Sequence, residues 1–399
     1  MRKQILKQVL DEISLSKKEQ AELLKIGRQA CKKLGKQARV GGSLAKGTMI
    51  KKAKQDIDIF VKFESEEETS KLGEIVKKAN LGEIIERKGS RTYYQIDLND
   101  VILEIVPVVK NGDNVTDISL QHIDYVKKHI GKLTDDVKLA KAFCHACNCY
   151  GAESYIHGFS GYALEVLVIY YNGFINFLKK IKPDVLDPAK QFKSKKEILR
   201  ELNESKLSSL LVVIDPVCKY RNITAGLSEE TFNRFLKQAK QFLKKPSKDA
   251  FIKKEISREE LEKEAEKKQA RLLEFRFRTD KQEGDIAATK MSKFFNFLCE
   301  EFARKGQKII RKVFIYNGEE ATGYIIFKPK KEIDIKGPEL NRKQACKAFK
   351  KARKDRKQKV YEKKGRLYAK EKIDLNDLLA HVKQFENDMD VQFELIGSK

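Results

Sequence analysis

The chain lacks any apolar run long enough to span a bilayer, and its opening segment, MRKQILKQVLDEI, has no signal-peptide core. A cytoplasmic protein with no membrane partner is therefore expected. Negative charge is scarce: 58 Asp and Glu stand against 83 Lys and Arg, leaving a formal charge of +25. Such an excess attracts polyanions, nucleic acid above all. Most of it is lysine, a bias that base composition or adaptation to heat also produces, so charge supports nucleic acid without establishing it. A second C-x-x-C pair is also absent. Cys144, Cys147 and Cys149 cluster with His145 as C-H-x-C-x-C, but a zinc site would need further ligands, and small buried residues are ordinary near a helix end. The seven cysteines are expected to be reduced thiols.

What is present is enough chain, 399 residues with 41% hydrophobic content, for two to four domains with their own cores. The most informative stretch is GGSLAKGTMIKKAKQDIDIFVKF, Gly41 to Phe63. In DIDIFVKF, Ile57, Ile59, Val61 and Phe63 point one way and Asp56 and Asp58 the other. Two carboxylates on one strand face repel unless a hard divalent cation such as Mg²⁺ sits between them, and such an ion also takes substrate phosphates. Gly41, Gly42 and Ser43 form a turn whose backbone and hydroxyl can approach a phosphate. A lone Asp-x-Asp is usually a solvated strand edge and a lone Gly-Gly-Ser just a turn; their order and spacing favour nucleotidyl transfer. A third carboxylate is then required. VILEIVPVV supplies Glu104 inside a buried strand, where an unpaired charge is costly; pairing with a lysine is the rival reading.

Along the chain, apolar spacing predicts helices within Ile5–Leu34, with Ser16 and Glu19 as a capping box. Strands are expected at Ala38–Gly42, Asp56–Phe63, Glu83–Arg87 and Thr92–Asp97, with a helix over Glu66–Ala79. From Thr134 to Leu178 the pattern is helical, LEVLVIYYNGFINFL reading as core. The stretch from Pro183 to Lys206 reads as a loop with a helical insert, and LSSLLVVIDPVCKYRN as a buried strand stopping at Pro216. Phe235–Lys268 reads as solvent-exposed helices. Leu272–Arg278, Ala287–Lys305, KVFIYNG and GYIIFK give strand, helix, strand, strand. In KAFKKARKDRKQKVYEKKGRLYAKEK, Phe349, Tyr361 and Tyr368 lie among basic residues; they suit stacking on bases or anchoring a surface helix equally well.

GSLAKGT, DIDIFV, LEIVP, YGAE, GFSGY and DPVCKYRN together resemble the archaeal-type, class I CCA-adding enzymes, tRNA nucleotidyltransferases of the polymerase-β-like superfamily. The likeness runs with gaps to about residue 370. It implies an α+β multidomain fold: a nucleotidyltransferase head at 1–133 with a mixed sheet, a helical neck at 134–250, an α+β body at 251–335 with an RNA-binding sheet, and a short basic tail region at 336–399 for tRNA. The implied reaction is template-independent addition of C, C and A to the tRNA 3′ end from CTP and ATP. Asp56, Asp58 and Glu104 would be catalytic and bind two Mg²⁺ ions. Gly42, Ser43, Lys46, His122, Lys141, Tyr150 and Arg221 would bind the nucleotide, Arg221 reading the base edge. Taken alone, Lys141, Tyr150, His122 and Arg221 would be ordinary packing, surface or ion-pair residues. Lys46 stands where arginine is common in the family, a point charge for a bidentate fork; Glu104 stands where aspartate is usual. A homodimer is left open. The rival functions are a poly(A) polymerase or oligoadenylate synthetase-like transferase, which would not stop after three additions, and a catalytically inactive RNA-binding scaffold.

Overall fold

Ser16 starts the first long helix as its sequence predicts. Its hydroxyl accepts the Glu19 N–H, and the Glu19 carboxylate accepts the Ser16 N–H. The computed structural model describes residues 2–110, 112, 114–355 and 358–399. By internal packing the chain divides into two units, Met1–Lys254 and Glu255–Lys399.

The first unit begins with α1 (Arg2–Ile13), α2 (Lys17–Leu34), β1 (Ala38–Val40), α3 (Gly42–Lys46), β2 (Gln55–Phe63), α4 (Leu72–Ala79), β3 (Ile84–Lys88), β4 (Thr92–Asp97) and β5 (Val101–Val109). The strands form a mixed sheet in the order β1-β2-β5-β4-β3, with β2 and β5 parallel at its centre. Ile57, Ile59, Val61, Leu103 and Ile105 are buried on one face with Leu23 and Leu34 of α2 and Leu72 and Val76 of α4. Alternation therefore puts Asp56, Asp58 and Glu104 on the other face. The expected strand at Ala38–Gly42 ends early, because Gly42 turns to a φ of +56° and begins α3. The expected helix over Glu66–Ala79 opens as a 3₁₀ turn before α4.

Next come α5 (Ser119–His129), α6 (Thr134–Ala146), α7 (Gly161–Tyr171), α8 (Phe174–Lys180), β6 (Asp184–Leu186), α9 (Lys195–Glu201), α10 (Glu204–Leu207), β7 (Leu211–Asp215), β8 (Cys218–Asn222) and α11 (Glu229–Lys244). Their core is aromatic, with Phe143, Phe159, Phe174, Phe177, Phe232, Phe235 and Phe242 all buried. Three corrections to the sequence expectation stand here. The stretch after Pro183 contains a strand, β6, parallel to β7. β7 does end before Pro216, which has no N–H to continue a ladder, but the chain turns back as β8 beside it. And α11 is not solvated all round. Phe232, Phe235, Ala239 and Phe242 form a buried stripe beneath its lysines.

The second unit comprises α12 (Arg258–Lys267), β9 (Arg271–Arg278), α13 (Gly284–Arg304), β10 (Lys308–Tyr316), β11 (Ala321–Lys328), β12 (Glu332–Glu339), α14 (Lys343–Asp355), β13 (Val360–Lys363), β14 (Arg366–Lys372), α15 (Leu375–Lys383), α16 (Glu386–Met389) and β15 (Gln392–Ser398). One antiparallel sheet runs β10-β11-β9-β15, its Phe275 and Phe277 packed on Phe294 and Phe295 of α13. A smaller sheet runs β12-β14-β13. The position between residues 335 and 336 falls inside β12, and β15 returns to pair with β9. In the basic segment, Phe349 lies against Gly337, and the Tyr361 and Tyr368 rings stack with centroids 5.8 Å apart; Arg356 and Lys357 lie outside the described residues. Among the described residues no helix is long and apolar enough to cross a membrane.

Candidate active site

In the parallel register of β2 and β5, Asp58 stands directly opposite Glu104, and Asp56 lies one alternation further along the same face. Burial raises the pKa of both Asp58 and Glu104, and the repulsion each feels from neighbouring carboxylates adds to it. Glu104 is held from the next strand. Gln95 of β4 is its cross-strand partner and donates Nε2–H to Glu104 Oε1 at 2.6 Å, while Arg87 Nε donates to Gln95 Oε1 at 3.0 Å. Asp56 instead pairs with Lys52 at 2.8 Å, and the two side chains are 38% and 46% exposed. An ion pair that open to water is worth about 0–1 kcal/mol, so it holds Asp56 weakly.

Gly41 and Gly42 explain why glycines precede α3. The Gly41 N–H donates to the Asp58 carbonyl at 2.7 Å. A Cβ on Gly41 would meet the Phe60 ring at 2.2 Å, and one on Gly42 would fall 1.6 Å from Asp58 Oδ2. Ser43 follows in the first turn of α3 and Lys46 in its last. The glycines thus let this turn lie flat on the carboxylate face.

Lys46 and Lys141 meet at a residue absent from the sequence-based set. Glu165 of α7, with no exposed surface, accepts Lys46 Nζ at 2.6 Å, Lys141 Nζ at 2.9 Å and the Thr48 hydroxyl at 2.6 Å. Lys141 also donates to Thr48 Oγ1 at 2.9 Å and to its carbonyl at 3.2 Å. Burial alone would push the Glu165 carboxyl up, but Lys141 and Lys46 outweigh it and hold its pKa at about 2. Burial lowers the Lys141 pKa and Glu165 opposes that shift; with both lysines protonated, the single carboxylate leaves net positive charge in a confined place. Tyr150 borders the same cluster: a Cβ on Gly161 would come 2.9 Å from its hydroxyl and 3.8 Å from Lys141 Nζ. Burial raises the Tyr150 pKa, and Glu165 adds to it, so the phenol stays neutral.

His122 and Arg221 form a second group, joined by Asp215. The fully buried Asp215 accepts from His122 Nε2 at 2.9 Å, from Arg221 Nη1 at 2.6 Å and from the Tyr162 hydroxyl at 3.0 Å. The Tyr162 ring stacks on His122, centroids 3.8 Å apart, and Lys46 Nζ lies 5.9 Å from the Tyr162 ring centre. The sequence signals for Asp215, Tyr162, Thr48 and Glu165 were available: the first three sit inside DPVCKYRN, GFSGY and GSLAKGT. Glu165 is a lone carboxylate in an apolar helix, the same feature that singled out Glu104.

The cysteines of the cluster form no disulfide among the described residues. Cys147 Sγ donates to the Cys144 carbonyl, and Cys149 Sγ to the carbonyls of Cys147 and Thr231. Among the described residues no three His, Cys, Asp or Glu side chains are drawn together into a ready ligand set. Asp58 and Glu104 are side by side, with Asp56 turned to Lys52.

Residues 23–137, which carry the acidic sheet, match the nucleotidyltransferase domain family, and residues 135–252 match the second domain of tRNA nucleotidyltransferases. The class is therefore that of the nucleotidyltransferases. Within it, the chain is 36% identical over 283 residues to the CCA-adding enzyme of Nanoarchaeum equitans, 68% of each chain being covered. It is 32% identical to that of Thermococcus kodakarensis over 62% of this chain and 60% of the relative, and 32% identical to that of Methanocaldococcus jannaschii over 62% and 61%. The chain belongs to the CCA-adding enzyme family. The matches span about two-thirds of the Nanoarchaeum relative and about three-fifths of the other two. Among solved structures, a cytoplasmic RNA terminal U-transferase is similar at a TM-score of 0.48 and 17% identity, covering 63% of this chain and 98% of that one, too remote to weigh on function.

Proposed function

We propose that the protein adds C, C and A to the 3′ end of tRNA from CTP and ATP, without a nucleic-acid template, releasing pyrophosphate. The observation that carries this reading is Asp58 beside Glu104 beneath Gly42, next to the Lys46–Glu165–Lys141 cluster. The donor set suits a hard divalent ion: buried carboxylates forced together, with a third on the same face held, among the described residues, by a solvent-exposed lysine. Asp56, Asp58 and Glu104 are the proposed holders of Mg²⁺, which when bound would neutralise phosphate charge and acidify the attacking hydroxyl.

The remaining work falls to side chains. Lys46 and Lys141 offer positive charge to the triphosphate, with Ser43 and the Gly42 backbone beside them. Tyr150 stays protonated and can donate a hydrogen bond there. Arg221 presents guanidinium N–H groups to the edge of the incoming base, with His122 next to it. The tRNA 3′-oxygen attacks the α-phosphorus, the bond to the bridging oxygen breaks, and pyrophosphate departs. Catalysis of this kind rests on positioning and charge neutralisation. We further propose that residues 1–133 form the catalytic head and 134–250 complete the nucleotide pocket. Residues 251–335 and the basic region 336–399 would hold tRNA, and the work would be done in the cytoplasm.

The test is to incubate the protein with tRNA trimmed of its last three nucleotides, CTP, ATP and Mg²⁺. The reading predicts extension by C, C and A and then arrest. A homopolymer grown from ATP alone would point to a poly(A)-type transferase, and RNA binding without extension to an inactive scaffold.

A further inference from the structure

We infer that Asp215 is a positioning residue for base selection, acting through Arg221. The inference rests on the proposal that Arg221 reads the base. Asp215 ends the wholly buried strand β7, and its side chain has no exposed surface. A buried carboxylate needs donors, and here they come from three separate elements. Oδ2 accepts His122 Nε2 of α5 and Arg221 Nη1 of β8; Oδ1 accepts the Tyr162 hydroxyl of α7 and the Val217 N–H. An ionised carboxylate only accepts, so the Asp215 contact calls for a proton on His122 Nε2, and Arg221 Nη1 lies 3.2 Å from that same nitrogen. The backbone is tied as well, with Gln191 Nε2 donating to the Asp215 carbonyl at 2.7 Å.

Arg221 is tethered on one side only. Its Nη1 is bound, whereas Nε and Nη2 have no hydrogen-bond partner among the described residues, and the side chain is 26% exposed. Arginine otherwise samples many rotamers. The contacts of Nη1 with Asp215 and His122 narrow that range and leave the other donors of the planar fork for a ligand. Discrimination between bases that differ in their hydrogen-bonding edges depends on such fixed donors. Tyr162 extends the support, because its ring stacks on His122 and lies near Lys46, linking the base-reading and phosphate-holding groups.

The experiment measures kcat/KM for CTP and for UTP at the first addition to trimmed tRNA. It compares the wild type, Asp215→Asn, Arg221→Ala, their double variant and Tyr162→Phe. Loss of one charge-assisted hydrogen bond corresponds to about tenfold or more. Asp215→Asn should reduce the preference for CTP over UTP by about that factor, and the double variant should be no less selective than Arg221→Ala alone. Tyr162→Phe keeps the ring and removes one donor to Asp215, so it should shift the same ratio in the same direction by a smaller factor. If Asp215→Asn does not fold, Tyr162→Phe decides by that shift. An Asp215→Asn enzyme slowed equally on both nucleotides, while Arg221→Ala loses selectivity, would overturn the positioning role alone. Unchanged selectivity in Arg221→Ala would overturn the base-reading proposal and this inference with it.

Discussion

Gly42 lies against Asp58 so closely that a β-carbon would fall 1.6 Å from the Asp58 Oδ2 atom, and the glycine holds a φ of +56°. Two separate constraints thus fix one residue: space for the carboxylate, and a left-handed backbone. Gly42→Ala should lose activity by about a hundredfold or more, since displacement of a reacting group by about 1 Å has that effect. It should also cost roughly 1–3 kcal/mol of stability from the backbone conformation. Steady-state incorporation and urea unfolding measure the two effects.

Asp58 should be a site where activity is held at the expense of stability. The folded-state pKa values of Asp58 and Glu104 are raised, by burial first and by neighbouring carboxylates second. A raised carboxyl favours the folded state at low pH, and that contribution is lost as pH rises through the folded-state value. Asp58→Asn should therefore melt higher than the wild type without divalent ions, by roughly 2–4 °C for each kcal/mol relieved. The gain should grow from acid to neutral pH. Added Mg²⁺ should raise the wild-type melting temperature and close the gap. Incorporation should vanish in the variant while tRNA affinity stays nearly unchanged.

Glu165 should behave in the opposite sense. Its pKa is lowered to about 2, so its stabilisation is present above the ordinary carboxylate range and is lost as pH falls toward 2. Removing one member of a buried ion pair costs about 3–5 kcal/mol. Glu165→Ala should show a deficit of that order at neutral pH in denaturant unfolding, and the deficit should shrink in acid.

tRNA binding should be strongly salt-dependent. If the positive excess of the chain forms the footprint, affinity should fall by about a thousandfold or more from about 50 to about 200 mM salt. A flat salt profile in a filter-binding or fluorescence assay would assign the lysines to some other purpose.

Local rules made much of the first unit legible. Strand alternation put Ile57 and Ile59 opposite Asp56 and Asp58, and the apolar run around Glu104 marked a central strand. The capping box at Ser16 marked a helix start. What escaped depended on contacts distant in sequence. Glu165 gains its meaning from Lys46, 119 residues away, and Asp215 from His122, 93 residues away. Neither helix periodicity nor strand alternation encodes such meetings. Composition misled at α11, where abundant lysine masked the stripe of Phe232, Phe235 and Phe242. The hairpin after Pro216 was hidden because β8, CKYRN, is polar and lies half in solvent.

The most direct measurement titrates Mn²⁺, followed by electron paramagnetic resonance, into the protein with a non-hydrolysable CTP analogue. Wild type, Asp58→Asn and Glu104→Gln are compared, each checked for native folding. Ions bound tightly by the wild type and weakened at least about tenfold in each variant are the predicted result. Equal Mn²⁺ binding by all three proteins would contradict the account at its centre.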